Sequence, residues 1–182
     1  MRSNSRKETL LEAARAVVAE RGGGGLTLDA VAAHAGLSKG GVLYHFPTKE
    51  ALIVAMIEKE LDAMDQALEA ATAEEAAGEA PRAGAFARAY IRVSLAEGHD
   101  EDCGLGGLLA AVANDPTLLA GYRARTERWR ERMRADGLAP AVAEILRLAV
   151  DGLYYSGLVG AARPPAEELP AFEAALLALA RR

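Results

Sequence analysis

The residues whose types and spacing most clearly suit chemistry lie in Thr27–Leu52, TLDAVAAHAGLSKGGVLYHFPTKEAL. Ser38, Lys39, Tyr44, His45 and Lys49 gather hydroxyl, ammonium, phenol and imidazole donors, an inventory that suits phosphate oxygens. Ser38 stands where a helix starts, and the free N–H groups and dipole of a helix N-terminus favour an anion. Lys39 has the reach for a phosphate or a guanine edge. Gly40 and Gly41 remove side chains, so a large partner can come close to the backbone. The same residues also fit a solvent-exposed helical hairpin with ordinary surface Lys, His and Tyr. Residue types alone leave both readings open.

Other chemistry is thin. There is no Ser-His-Asp or Cys-His set, and Gly22–Gly25 lacks the Lys-Ser/Thr of a phosphate-binding loop. His99 and Cys103 flank Asp100, Glu101 and Asp102, but a structural metal site needs about four placed ligands. That run reads as a solvated acidic loop, and His34 as a surface or helix-packing residue. No metal or cofactor is expected, and a small helical enzyme is the weakest reading of the chain.

The elements that must position Thr27–Leu52 are helical. Leu10, Leu11, Ala14, Val17 and Val18 recur every three or four residues and predict a helix over about 5–20. Gly22–Gly25 should stop it. Thr27 is a plausible N-cap with Asp29 in the first turn, and Gly36-Leu37 makes a tight turn. Val31, Leu37 and Val42 are expected to form a small core, with Ala32 and Ala33 permitting close approach of the two helices. Pro47 ends the short helix after Ser38, and Thr48 opens a longer one. The Ala/Glu-rich stretch Ala70–Gly84 reads as a frayed end and connector. Further helices are predicted over about 83–97, from Asp115-Pro116 through Met133, over 141–160, and through Phe172–Leu179. Between them, Gly98–Asp102 is a polar loop and Gly104–Asn114 is short and apolar. No strand is convincing.

Bulk properties agree with a soluble helical protein. The 182 residues are 51% hydrophobic but only 5% aromatic, a composition rich in helix formers. Net charge is −5, yet residues 1–49 carry +3 and the remainder −8. A mildly basic head on an acidic body suits a nucleic-acid reader with a regulatory part. A single cysteine allows no internal disulfide, and neither a signal-peptide core nor a membrane span is evident. The cytoplasm is the expected compartment.

TLDAVAAHAGL followed by SKGGVLYHFPTKEAL resembles the DNA-binding segment of the TetR (tetracycline-repressor) family. That pattern has Thr opening the second helix, A-G-S/V-S at the turn, then G-x-x-Y-x-H-F and K-x-x-L. Here Leu37 replaces the commoner Val. The resemblance covers about residues 1–60. It implies that Thr27, Ser38, Lys39, Tyr44, His45 and Lys49 contact double-stranded DNA, mostly at phosphates. Gly40 would be the close-approach glycine, and Phe46 would pack the third helix onto the first and fourth. The tandem Gly40-Gly41 leaves mainly Lys39, and Leu43 against a thymine methyl, for reading bases. DNA shape is then expected to carry part of the specificity.

The resemblance further implies an all-α protein in two parts. Residues 1–48 form a three-helix DNA-binding domain, joined by a long fourth helix to a regulatory and dimerisation domain over 49–182. In the predicted helix 141–160, Ala149, Gly152, Ser156 and Gly160 make a small-residue stripe flanked by Leu146, Leu153 and Val159. Pairing of this helix and 167–181 with a second copy gives a homodimer; complete burial within one subunit is the alternative. Tyr90, Tyr122, Trp129, Met133, Tyr154 and Tyr155 hold most of the aromatic surface outside the head and suit a small apolar or aromatic ligand, though such a stripe also fits plain core. The expected activity is that of a repressor on a pseudo-palindromic operator, released by an inducer. A helical interaction module without DNA binding is the rival.

Overall fold

The computed structural model describes residues 2–78, 82–97, 108, 109, 115, 117–158 and 161–181. Among them the secondary structure is helical, without strands. The chain divides into two compact units, Met1–Leu61 with Asp102–Tyr122, and Asp62–Glu101 with Arg123–Arg182.

In the first unit, glycines and capping hydroxyls set the helix ends. Helix α1 runs over Arg2–Arg21 and stops where Gly22 adopts φ 68°. A 3-10 turn at Gly23–Gly25 follows, and α2 covers Leu28–Ala35. Thr27 Oγ1 accepts from the Ala30 N–H at 3.1 Å, satisfying one of the donors that a helix start leaves free. Gly36 takes φ 64°, and the Leu37 N–H donates to Ala32 O at 2.9 Å, which closes the helix in a Schellman turn. Helix α3 is Lys39–His45, and α4 spans Lys49–Ala77, its start capped by Thr48 Oγ1 accepting from the Ala51 N–H at 3.1 Å.

The apolar periodicity of α1 forms one wall of a closed core. Leu10, Ala14, Val17, Val31, Val42, Phe46, Leu52, Ile57 and Leu61 are all buried. Phe46 holds the end of α3 in this core. The expected contribution of Leu37 is only partial, since it is half-buried, and Ala33 faces solvent while Ala32 alone is buried at the helix contact. Ion pairs Glu8–Lys59 (2.6 Å) and Arg15–Glu60 (3.3 Å) tie α1 to the first part of α4.

The second unit takes the rest of α4, α5 (Ala85–Glu97), most of α6 (Ala120–Arg134), α7 (Pro140–Leu158), a 3-10 turn at Ala166–Glu168, and α8 (Leu169–Leu179). Residues 70–77, expected to fray, are regular helix because α5 grips them. Glu75 accepts from Arg88 Nε at 2.7 Å and from Arg92 Nε at 2.8 Å. Arg88 is wholly buried and also donates to the carbonyls of Ala83 (2.9 Å) and Ala180 (3.2 Å). Gly84, at φ 78°, lies so near the end of α8 that a Cβ would stand 2.2 Å from the Ala180 oxygen.

Helix α6 also departs from expectation at its start. It begins at Ala120, because Asp115 spends its carboxylate on the Thr117 N–H (2.9 Å) and hydroxyl (2.6 Å), closing a turn ahead of the helix. Pro116 lies outside the described residues, as do Glu79–Pro81, the loop Gly98–Asp102, Cys103, and the stretch Gly104–Asn114 apart from the buried Leu108 and Leu109. On α6, Arg125 bonds Asp62 (2.9 Å) and Asp65 (2.5 Å), Trp129 Nε1–H donates to Asp65 (2.6 Å), and Arg132 bonds Glu69. These pairs stitch α6 to α4.

Candidate functional site

Every residue in the Thr27–Lys49 donor set lies on α2, α3 or the caps beside them, except Lys49, which opens α4. Ser38 Oγ accepts from the Gly41 N–H at 3.2 Å and starts α3 with an exposed hydroxyl. Thr27 is exposed at the start of α2. Tyr44 is 80% exposed, the most exposed large aromatic or apolar side chain among the described residues, and its ring meets His45 edge-on at 5.0 Å. Leu43 is 38% exposed, while His45 and Lys49 are half-buried. A Cβ at Gly40 would meet nothing within 4 Å, and one at Gly41 would sit 3.5 Å from Ser38 Oγ. The outer face of α3 therefore offers a bare backbone strip bordered by Ser38, Lys39, Leu43 and Tyr44.

One contact on this face was not foreseen. Lys39 Nζ pairs with Asp29 Oδ2 at 3.0 Å, both side chains being largely exposed. The acid read as a helix-dipole partner also shares the charge of the leading cation of α3. Ten residues separate the two, so only the folded turn at Gly36 reveals the pairing. His34 is exposed, 3.9 Å from Glu20.

The second unit holds a cavity of about 230 Å³ between α5, α7, α8 and the segment leading into α8. Val150, Leu153 and Leu169 give it apolar walls; Arg92, Ser94, Tyr154, Arg163 and Glu173 give it polar groups. Ser94 Oγ is buried and has no hydrogen-bond partner among the described residues.

Residues 10–56 match the family model described as bacterial regulatory proteins, tetR family, and residues 84–181 match the one described as tetracyclin repressor-like, C-terminal domain. The chain belongs to the TetR family. A TetR-family regulator from Mesorhizobium loti superposes with a TM-score of 0.75 at 18% identity, covering 99% of this chain and 95% of that one. A transcriptional regulator from Rhodococcus sp. Rha1 gives 0.72 at 25%, covering 96% and 93%. The multidrug binding protein EbrR, complexed with imidazole, gives 0.65 at 27%, covering 96% and 89%; EbrR is also known with ethidium and with malachite green. No curated protein matches the sequence.

Of the six ligand residues expected in this TetR chain, one is placed at the cavity just described. Tyr154 lines the cavity just described, and Tyr155, its ring 5.8 Å away, is 42% exposed. Tyr90, Trp129 and Met133 are buried, with Tyr90 and Trp129 in edge contact at 6.3 Å. Their polar ends are already engaged, Trp129 on Asp65 and the Tyr90 hydroxyl on Asp151 at 2.7 Å. Burial pushes the Asp151 carboxyl up, although Tyr90 and Arg147 counteract it. Tyr122 is half-buried and belongs to the first unit.

On α7, Gly152 of the expected small-residue stripe is exposed, and Ala149 and Ser156 are half-buried. Leu146 and Leu153 point into their own core, whereas Ile145, Leu148, Gly152 and Tyr155 are exposed at helical spacing. A Cβ at Gly152 would meet nothing within 4 Å. Val159 and Gly160 lie outside the described residues.

Proposed function

We propose that this TetR-family regulator is a ligand-responsive repressor that binds a pseudo-palindromic operator as a homodimer. The observation that carries the reading is Tyr44, a large aromatic left 80% exposed beside Ser38, Lys39 and an open Gly40 on α3. Such a ring gains little from burial in the lone subunit, whereas a phenol beside an ammonium suits a phosphate backbone. Helix α3 enters the major groove, α2 crosses the backbone, and Thr27, Ser38, Lys39, Tyr44, His45 and Lys49 anchor phosphates. Residues 1–48 act as the reading head and 49–182 as the regulatory part.

The exposed apolar stripe of α7, with α8, meets its mate in a second copy, since an apolar patch rarely stays open to water. An inducer held in the second unit shifts the dimer toward a head spacing that fits DNA less well; it acts only through its different affinity for the two arrangements. EbrR, a relative with small molecules bound, supports this regulatory role. No described helix is long and apolar enough to cross a membrane, which agrees with work in the cytoplasm.

The test is a gel shift with full-length protein and the DNA upstream of its own coding region, over a salt series. Phosphate-anchored docking predicts a log–log slope of about −0.9 per contact. Binding indifferent to salt, or absent from every fragment offered, overturns the reading.

A further inference from the structure

The cations of the first unit differ in whether an acid already answers them. Arg15 pairs with Glu60, Lys39 with Asp29 and Lys59 with Glu8. Lys7 and Lys49 form no ion pair among the described residues. Glu8, the acid next to Lys7 in sequence, is held by Lys59 at 2.6 Å. The donor set read from Thr27–Leu52 includes Lys49; Lys7, on the second turn of α1, stands outside it.

An aromatic ring places Lys7. Its Nζ lies 6.0 Å from the centroid of Phe46, within the range at which a ring face attracts an ammonium. Phe46 is 2% exposed and so is fixed by the core, whereas Lys7 is exposed and keeps its charge in water. Phe46 caps the end of α3, directly after His45. Lys49 follows three residues later, no more than about 11 Å along the backbone. Three elements, α1, α3 and α4, therefore bring Lys7, His45 and Lys49 to one end of α3. At its other end, Lys39 already shares its charge with Asp29.

We propose that Lys7 is a further phosphate anchor, so that α1 grips the DNA backbone beside the end of α3 together with Lys49. This deepens the DNA-binding reading given above and rests on it. Lys39 must leave a carboxylate before it can take a phosphate, whereas Lys7 exchanges only water. A contact of this kind reads no base, so it strengthens binding to any duplex.

The test is fluorescence anisotropy of the full-length protein on a labelled mixed-sequence duplex and on the DNA upstream of its own coding region, over a salt series. Lys7→Met keeps an apolar stem over Phe46 and removes the charge. It should weaken binding to both duplexes roughly fivefold at low salt. The log–log salt slope should become shallower by about 0.9 for each subunit bound. Lys7→Arg should keep the slope of the unaltered protein. Arg123→Gln, which removes an exposed cation from the second unit, should also leave it unchanged. An unchanged slope in Lys7→Met overturns the proposal, and a lower melting temperature with that unchanged slope assigns Lys7 to supporting Phe46 alone. An equal loss of slope in Arg123→Gln overturns it as well, because net charge would then account for the effect. If the unaltered protein binds neither duplex in a salt-dependent way, the DNA-binding reading falls and Lys7 with it; if it does and only the Lys7 effect is missing, the DNA-binding reading stands.

Discussion

Lys39 and Asp29 form an exposed pair at 3.0 Å, and such pairs contribute little to stability. The pair matters more to the proposed binding, in which Lys39 would exchange a carboxylate for a phosphate and Asp29 would stand near the phosphates as a like charge. Asp29→Asn should leave the melting temperature within a degree or two and strengthen DNA binding by roughly threefold at low salt, most of it in association rate. Stopped-flow association measured at two salt concentrations checks this; weaker binding would mean that Asp29 positions Lys39 rather than restraining it. Tyr44→Ala removes a group that touches little of its own subunit, so stability should move by less than about 0.5 kcal/mol. DNA affinity should fall roughly tenfold, the worth of one phosphate hydrogen bond, with the dimer unchanged by sedimentation. Tyr44 was legible as a candidate from its motif alone. The Lys39–Asp29 pair was not, since it depends on the angle at which two helices meet.

At the level of elements, the junction of α4, α5 and α8 centres on Arg88, which has 0% of its surface exposed. Nothing in FARAYIR marks this arginine apart from Arg92, one turn away and about half exposed. Phe86, Tyr90 and Ile91 are buried as their apolar character suggests, whereas Val93 and Leu95 are half-buried, and the fate of Arg88 follows from a glutamate and two carbonyls elsewhere in the chain. For the same reason the Ala/Glu-rich end of α4 reads as frayed in isolation, and helix propensity gives no hint of its grip by α5. Glu75→Gln should therefore destabilise the protein by roughly 3 kcal/mol, the usual penalty for a buried charge losing its partner.

Burial pushes Glu75 up, but hydrogen bonds from Arg88 and Arg92 outweigh it and hold the carboxyl below its usual 4.5. A depressed folded-state value means that its stabilisation is complete above the ordinary carboxylate range and lost as pH falls through the lowered value. Asp136 and Asp151 run the other way. Burial raises both, so they oppose folding when ionised, and that opposition is relieved on acidification. Urea melts from pH 7 down to pH 3 should show a shallower acid loss in Glu75→Gln than in the unaltered protein. A parallel loss in both would remove Glu75 as its cause.

For the whole molecule, the proposed pairing of two copies is the step on which binding to a symmetric operator would depend. Ile145, Leu148, Gly152 and Tyr155 supply an outward apolar stripe that the lone chain leaves in water. On the proposed pairing, Leu148→Glu should sediment as a folded monomer where the unaltered protein sediments as a dimer, with helicity constant, because the side chain lies outside the core. DNA affinity should fall far more than for any single phosphate contact, since two heads no longer bind together. A dimer that persists places the interface elsewhere. The sequence revealed that this helix was too apolar to stand alone. It did not reveal which face was free, because Leu146 and Leu148 differ only in rotation about the axis.

The seven-residue helix α3 carries two consecutive glycines, each about 1 kcal/mol poorer than alanine in a helix. Gly40 has room for a methyl group and needs no unusual backbone angle. Gly40→Ala should accordingly raise the melting temperature and, on the proposed docking, lower operator affinity, as the methyl would intrude on the phosphate proposed to lie there. On the proposed repressor reading, a heat-resistance screen of this protein would therefore enrich variants that have stopped silencing their target, and thermal survival would be a misleading proxy for repression.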